Sequence, residues 1–168
     1  WAMKNHLPPE GYPYDAVLVM DADSVLNPDF LWFMDERLRA GDELLQGYYG
    51  VLNPLENWRT SLATAALAAF HFLRPLGRAM FGMSCGLKGN GMVLARRLVE
   101  TYGYPAFSVV EDVELALSYL DRGIPVRFVP GAHVRGQMAV SAQDAGTQRA
   151  RWEGGRLALL RTWTGRLL

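Results

Sequence analysis

The chain has 168 residues, half of them hydrophobic, and its 17 basic side chains balance 17 acidic ones. This is enough for one domain with a substantial core and argues against a disordered chain. The charge balance provides no overall field for nucleic acid or an anionic membrane, so any partner must be recognised at local sites. The single cysteine, Cys85, excludes an internal disulfide and fits a reducing compartment.

The first half of the chain predicts two strands and two helices. Residues 14–20 form a short apolar run typical of a buried strand. Asn27 precedes a proline and an acid, a pattern that predicts the cap of a helix of about three turns ending at Gly41. Residues 43–52 have the pattern of a second strand, and residues 58–73 that of an alanine-rich helix.

The second half continues the alternation. Its predicted elements are a glycine-rich loop over 82–91, a strand over 92–95 leading into a helix through Tyr102, a helix over 113–120 stopped by Gly123, a strand over 125–129, and a helix opened by Ser141 and Asp144 as a capping box. Strands alternating with helices predict an α/β layered domain, which we place over residues 1–168 as a single unit.

An acidic pair, Asp21 and Asp23, follows the first predicted strand. In an extended segment, side chains two residues apart point to the same side and can approach one cation. Magnesium or manganese held by one or two carboxylates keeps positions open for substrate phosphates, and ligands of open α/β sheets bind beyond the carboxyl ends of the strands. The alternative is that the two acids only begin a solvated turn, because an isolated D-x-D motif is weak.

The same segment has a second possible meaning. Residues 17–26 resemble the first motif of haloacid-dehalogenase-type phosphatases, in which the first aspartate, here Asp21, would be a nucleophile. That family also needs a downstream lysine and a further acidic pair, which Lys88 and the pair at 111–112 match poorly.

A second acidic pair, Glu111 and Asp112, stands directly before an amphipathic helical pattern. Free N–H groups and the helix dipole favour negative charge there, so we expect Asp112 to be ionised at neutral pH. An ionised carboxylate beside an acceptor hydroxyl can act as a general base. The alternative is that one of the two acids simply caps the helix.

A third cluster lies in the last predicted helix, where Gln148, Arg151 and Trp152 share one face at spacings of three and four. An indole can support a sugar ring, an arginine can pair with a phosphate, and a glutamine can bond to hydroxyls. A surface helix with one anchored tryptophan is the alternative. Residues 157–168 form an amphipathic stretch that either packs on the sheet or lies in a membrane interface.

Together the three clusters, Asp21-Ala22-Asp23, Val110-Glu111-Asp112 and Gln148-Arg149-Ala150-Arg151-Trp152, closely resemble the ordered signature of family 2 inverting glycosyltransferases. The resemblance is strongest to membrane-bound members similar to cellulose, chitin and hyaluronan synthases, and it covers roughly residues 14–160. It implies a GT-A fold, a mixed sheet flanked by helices. The nucleotide-binding first half of that fold would precede Trp1, so we expect a fragment that is incomplete at its N-terminus.

The resemblance also implies roles for individual residues. Asp21 and Asp23 would hold the divalent cation and Asp112 would be the catalytic base. The remaining matched positions would bind donor and acceptor: Glu111, Gln148, Arg151 and Trp152, with Gly89, Asn90 and Gly91 in a loop that resembles the acceptor-side loop of the family.

The function implied by the resemblance is transfer of a sugar from a nucleotide diphosphate, expected to be UDP, to an acceptor hydroxyl. The expected cofactor is magnesium or manganese, and the acceptor would be a saccharide or a lipid-linked sugar, with no role for nucleic acid. We expect synthesis of a cell-surface polysaccharide or glycolipid at the cytoplasmic face of the cell membrane, with membrane association through parts of the protein outside this chain. The alternative is a sugar-binding or scaffold domain of the same fold without catalytic activity.

Overall fold

The computed structural model describes residues 14–106, 108–137 and 142–167, and for residues 142–151 and 165–167 it describes the helical backbone alone. The elements in chain order are β1 (Ala16–Val19), β2 (Val25–Leu26), α1 (Phe30–Arg39), β3 (Leu44–Val51), α2 (Trp58–Ala68), a π-helical turn (Ala69–Leu73), α3 (Arg74–Met80), β4 (Met92–Ala95), α4 (Arg96–Tyr102), α5 (Glu111–Leu120), β5 (Arg127–Gly136) and α6 (Ala142–Leu167).

The five strands form one mixed sheet in the order β1-β4-β3-β5-β2. β4 runs antiparallel to both β1 and β3, β5 runs parallel to β3, and β2 runs antiparallel to β5. The α/β class and the mixed sheet flanked by helices are therefore confirmed. The short strand β2 was not predicted, because two residues are too few to show a period.

The two faces of the sheet carry separate cores. Leu44 packs in a cluster with residues of β4, α4 and α5, whereas its neighbour Leu45 packs in a second cluster with Phe30 and Met34 of α1. Consecutive strand residues point to opposite faces, which is why adjacent leucines serve different cores. This arrangement explains the continuous apolar runs of the central strands.

The segment from Trp58 to Met80 is longer than predicted. A capping box between Asn57 and Thr60 starts α2, but the helical path continues past Leu73 through the π-helical turn into α3. Pro75, which has no N–H to donate to the preceding turn, lies just after the π-helical turn and does not end the segment. The error was to stop the helix where the apolar run ends.

One face of this segment is an exposed apolar stripe. Trp58, Leu62, Phe70 and Leu73, which recur at near-helical spacing, are 58–69% exposed, and we call these four residues the apolar stripe. The stripe consists of large side chains that face solvent on the outer side of the helix.

Three other predicted boundaries differ from the structure. Asn27 does not cap α1: its side-chain oxygen accepts the N–H of His133 at 2.8 Å, so it fastens the chain to β5 instead. Gly41 does follow the helix with a positive φ of 95°, as predicted. β5 extends to Gly136 rather than ending at residue 129. The pairing of β5 with β3 shifts register between Gly47 and Tyr48. Because of this irregularity, the second half of β5 could not be predicted from the alternation of apolar residues.

The last helix, α6, runs without interruption from Ala142 to Leu167. The capping box predicted at Ser141 and Asp144 falls on side chains outside the described part of the structure. Leu159 and Trp163 are buried against Val110 at the start of α5. Part of residues 157–168 therefore packs within the domain, but on a helix and not on the sheet as predicted. None of the helices that the structure describes is both long enough and apolar enough to span a lipid bilayer.

Candidate functional site

The acidic pair lies at the C-terminal end of β1, as predicted, but on a turn instead of an extended segment. The Ser24 N–H donates to the carbonyl of Asp21 at 3.1 Å, which closes a turn over Ala22 and Asp23. Asp21 and Asp23 are both exposed. The two carboxylates are therefore held near each other by a turn. The prediction that they lie in an extended segment was wrong.

The electrostatics of this turn fit a cation. Burial raises the pKa of Asp21, and the negative charges of Asp23 and Glu111 raise it further. The three carboxylates thus lie within one another's field, and a divalent cation would relieve that repulsion. In the described part of the chain, no group of three or more histidine, cysteine or acidic side chains has a spacing suited to a metal ion. The protein would supply one or two carboxylates and leave the other positions to phosphate and water.

The glycine-rich loop joins the acidic turn through Asn90. The Asn90 side-chain oxygen accepts the N–H of Asp21 at 3.3 Å, and its amide nitrogen donates to Ser24 Oγ at 2.8 Å. Asn90 itself is buried. Asn90 therefore holds the turn that carries the two aspartates, whereas the role of this loop in binding an acceptor stays a prediction.

The glycines on either side of Asn90 meet different constraints. Gly89 and Gly91 have φ values of 77° and 65°, a region that other residues rarely adopt. A Cβ on Gly91 would approach Val134 Cγ1 to 2.5 Å, whereas a Cβ on Gly89 would lie 3.9 Å from Asp112 Oδ2. Gly91 is thus required by close packing on β5, and Gly89 places the loop backbone beside Asp112.

Asp112 lies in the first turn of α5, because the helix begins at Glu111 and not after the acidic pair. Val110 is the N-cap residue, so neither acid caps the helix from outside it. Asp112 Oδ1 accepts the N–H of Val113 at 2.8 Å. One carboxylate oxygen is thereby fixed on the helix, while the other faces the glycine-rich loop.

The charge state of Asp112 reflects competing influences. Burial raises its pKa, the hydrogen bond from Val113 lowers it, Glu111 raises it, and the positive charges of Lys88 and Arg156 lower it. The net direction is upward, opposite to the effect expected from the helix N-terminus alone. A carboxylate with a raised pKa is a stronger base than an ordinary one.

Basic groups border Asp112 on one side. Burial and the nearby charge of Arg74 lower the pKa of Lys88. Burial, together with Lys88, lowers the pKa of His71 to about 4, so this histidine is neutral at pH 7. Its ring stacks on Tyr49, and its Nδ1 lies 3.3 Å from the carbonyl oxygen of Tyr49. His71 is therefore held in the framework of the site.

Two residues of β3 belong to the site and were missed. Gln46 is fully buried and bonds to the glycine-rich loop, and Tyr49 lies within the field of Asp21 and Asp23. Burial raises the pKa of the Tyr49 phenol. The signal for Gln46 was present in the sequence, since a glutamine directly after Leu44-Leu45 in a buried strand needs internal hydrogen-bond partners.

The helix α6 brings the third motif toward α5. A Cβ on Gly155 would lie 3.0 Å from Val110 Cγ1, so α6 crosses closely over the start of α5. Trp152 is 42% exposed, which leaves part of its indole free to contact a ligand. The shared face predicted for Gln148 and Arg151 stays a prediction, because their side chains lie outside the described part of the structure.

A comparison of the chain with families of known proteins matches residues 16–168 to the model described as "Glycosyl transferase family group 2". The chain belongs to this family. Its fold is a GT-A-like domain fragment, and the phosphatase interpretation of residues 17–26 is set aside.

A relative of this family 2 chain is "Glucomannan 4-beta-mannosyltransferase 7" of Arabidopsis thaliana. It is 28% identical over 159 residues, which cover 92% of this chain and 28% of the relative. The chain thus spans less than a third of the length of the curated relative that it matches.

Proposed function

We propose that the complete protein is an inverting glycosyltransferase that moves a sugar from a UDP-sugar or a similar nucleotide diphosphate donor to an acceptor hydroxyl. The observation that carries the proposal is the meeting of two acidic sites at one loop. Asn90 holds the turn of Asp21 and Asp23, and the adjacent Gly89 faces the Asp112 carboxylate. The candidate phosphate-side and acceptor-side groups therefore both border a single short segment.

The reaction assigns a separate task to each site. Asp112 accepts the proton of the acceptor hydroxyl as its oxygen forms a bond to the anomeric carbon. The bond from that carbon to the diphosphate oxygen breaks, and its electron pair leaves with the nucleoside diphosphate. Attack opposite to the leaving group inverts the anomeric configuration. Asp21 and Asp23 would hold magnesium or manganese, which neutralises the departing diphosphate when bound.

The third motif supplies the sugar-binding surface in this proposal. The exposed part of Trp152 would support a sugar ring, and Gln148 and Arg151 would contact hydroxyl and phosphate groups from the same helix face. Glu111 sits beside Asp112, where it would hydrogen-bond to donor or acceptor. Gly91 and Gly89 keep the loop close enough for a sugar to approach its backbone.

The proposal extends to the product and the location of the reaction. The Arabidopsis relative is named as a glucomannan mannosyltransferase, which supports a polysaccharide product and makes mannose the first sugar to test. We place the reaction at the cytoplasmic face of the cell membrane, with membrane attachment through other parts of the complete protein. The buried free thiol of Cys85 is compatible with that compartment.

The test is nucleoside diphosphate release by the full-length protein in membranes, with manganese and a panel of sugar nucleotides. Asp112→Asn should reduce turnover on the active donor by about 100-fold to 10,000-fold, the contribution of a general base. Asp121→Asn is the matched control, because Asp121 is exposed at the other end of α5 and should leave turnover unchanged.

Two results would contradict the proposal. Turnover that survives Asp112→Asn would remove Asp112 as the base, and a retained anomeric configuration, measured by NMR of the first product, would exclude in-line inversion. Silence across the donor panel from folded protein would instead favour a sugar-binding or scaffold domain.

A further inference from the structure

The amide of Gln46 lies in the sheet beneath the glycine-rich loop, and the proposed reaction gives it no task. Its side chain is fully buried in β3. An amide that is buried without hydrogen bonds destabilises the fold, so the partners of Gln46 show what it is fixed to.

Within the described residues, this side chain forms its hydrogen bonds with main-chain groups. Gln46 Oε1 accepts the N–H of Lys88 at 2.8 Å, and Nε2 donates to the carbonyl of Asn90 at 2.8 Å. Nε2 also donates to the carbonyl of Gly47 at 2.9 Å. One amide therefore holds the backbone on both sides of Gly89, the residue that faces Asp112.

The chain of contacts continues to the acidic turn. Asn90, whose carbonyl Gln46 holds, uses its side chain to bond to the N–H of Asp21 and to Ser24 Oγ. A second bond from the Gly47 N–H to the carbonyl of Gly91, at 2.9 Å, fastens the far end of the loop to the same strand. The position of the acidic turn relative to Asp112 is therefore set by β3 through the loop.

We propose that Gln46 is a positioning residue that fixes the separation between the Asp21-Asp23 turn and the Asp112 carboxylate. This inference rests on the proposed function, because it assigns Gln46 to the geometry of that same reaction. Gln46 touches neither substrate nor the reacting atoms and acts through the main chain of residues 88–91. Misplacement of a reacting group by about 1 Å can cost on the order of 100-fold in rate.

The test replaces the amide without changing its size. In the full-length protein, Gln46→Met removes all three hydrogen bonds, and Gln46→Glu keeps an acceptor for the Lys88 N–H but loses the donor to Asn90. Both should lower kcat by about tenfold to 100-fold while the KM for the donor changes little.

The matched control is Leu45→Ala, a core change in the same strand whose side chain packs on the opposite face of the sheet. It should lower thermal stability without a comparable loss of kcat. If Leu45→Ala and Gln46→Met lower kcat equally at equal loss of stability, the role of Gln46 is only structural and the inference is wrong.

A double variant separates this inference from the proposed function. In an Asp112→Asn background, Gln46→Met should reduce the residual turnover by less than twofold, because the base that the loop positions is already absent. A full further loss would overturn the positioning role of Gln46. Turnover unaffected by Asp112→Asn alone would instead overturn the proposed function.

Ser24→Ala provides a second route if the Gln46 variants do not fold. This substitution removes the hydrogen bond from Asn90 Nδ2 to Ser24 Oγ, and the Ser24 side chain is only partly buried. The manganese concentration that gives half-maximal turnover should rise severalfold. An unchanged metal dependence would show that the loop does not position the acidic turn and would contradict the inference.

Discussion

The pKa of Asp112 is raised mainly by burial and is also affected by Lys88, a neighbour that the motif does not include. The positive charge of Lys88 lowers the Asp112 pKa and so partly offsets the effect of burial. Lys88 is itself largely withdrawn from solvent, which lowers its own pKa. The pH at which the proposed base becomes ionised therefore depends on a residue of the glycine-rich loop.

Replacing Lys88 by methionine should move the acid limb of the kcat profile to higher pH. Without the positive charge of Lys88, the ionised form of Asp112 is less stable relative to the protonated form. The Asp112 pKa therefore rises, and a higher pH is needed to ionise the base. Turnover measured between about pH 5 and pH 8 tests this. Arg97→Met, a change at an exposed arginine of α4, is the control, and a shift of the Lys88 variant toward lower pH would contradict the expectation.

Asp112→Asn should be at least as stable as the unchanged protein at pH 7. Since the folded-state pKa of Asp112 lies above its ordinary value of 3.8, the folded form binds the proton more tightly and loses stability as the pH rises through that raised pKa. Asparagine avoids this cost and can still accept the Val113 N–H.

Thermal unfolding at pH 7 and at about pH 3 measures the effect. The advantage of the asparagine variant should disappear at the acidic pH, where the carboxyl group is protonated in both states. A variant that is less stable at pH 7 would show that burial is not the dominant influence on this carboxylate.

Gly91→Ala should destabilise the fold more than Gly89→Ala. Both positions have positive φ, which costs other residues about 1–2 kcal/mol. An added Cβ at Gly91 also meets Val134 at 2.5 Å, and overpacking of this kind typically adds about 1–3 kcal/mol. Urea unfolding of the two variants isolates the packing contribution, and equal losses would mean that β5 moves aside without cost.

At the level of elements, α6 carries two adjacent glycines, Gly154 and Gly155, of which only Gly155 faces the start of α5. A Cβ on Gly154 would meet nothing within 4 Å, whereas one on Gly155 would press on Val110. Because α6 is a continuous helix, the two positions share the same backbone conformation. They form a natural comparison between helix propensity and packing.

Gly154→Ala should stabilise the chain by up to about 1 kcal/mol, since alanine is the better helix former. Gly155→Ala gains the same propensity but pushes α6 away from Val110, so its free energy of unfolding should be lower than that of Gly154→Ala. The Gly155 variant should also lose turnover, because Trp152 and Arg156 shift with the helix. Equal stability of the two variants would show that Val110 yields without penalty.

The sequence predicted the elements whose signals are local. The apolar run of β1, the glycine stops of α1 and α5, and the strand β4 all follow from neighbouring residues. The longer extents of β5 and of the segment through Pro75 depend on a register shift and on a π-helical turn, which have no period to detect. Asn27 was misassigned because its partners are in β5, more than a hundred residues away.

The same distinction applies to the site. Each acidic pair was visible as a motif, but the contacts that bring the two pairs to one loop were not. Gln46 and Asn90 connect β3, the loop and the acidic turn through contacts between distant parts of the chain. A buried polar residue in a strand indicates that it has hydrogen-bond partners, but only the folded structure identifies them.

At the scale of the molecule, β1 is an edge of the sheet. Its ladder partner in the described part of the chain is β4, and every other main-chain group of an edge strand points away from its neighbour. The predicted nucleotide-binding half of the fold, which we expect before Trp1, would supply strands next to this edge.

Hydrogen exchange should therefore differ between this chain and the complete protein. Amides of residues 16–19 that face away from β4 should exchange rapidly in the isolated chain and slowly when the upstream half is present. Amides of β3, which is paired on both sides, should exchange alike in the two proteins and serve as the control. Equal exchange at β1 would contradict the predicted domain organisation.

The apolar stripe of α2 and the π-helical turn should promote adsorption of the purified protein to surfaces. Four large side chains directed at water raise the surface activity of the molecule, because each gains free energy on leaving water for any less polar phase. The chain will adsorb to plastic, air bubbles and hydrophobic resins, and its losses during purification will grow as it is diluted. A mild detergent above its critical micelle concentration supplies an apolar phase for the stripe. Protein recovery with and without the detergent measures the loss by adsorption.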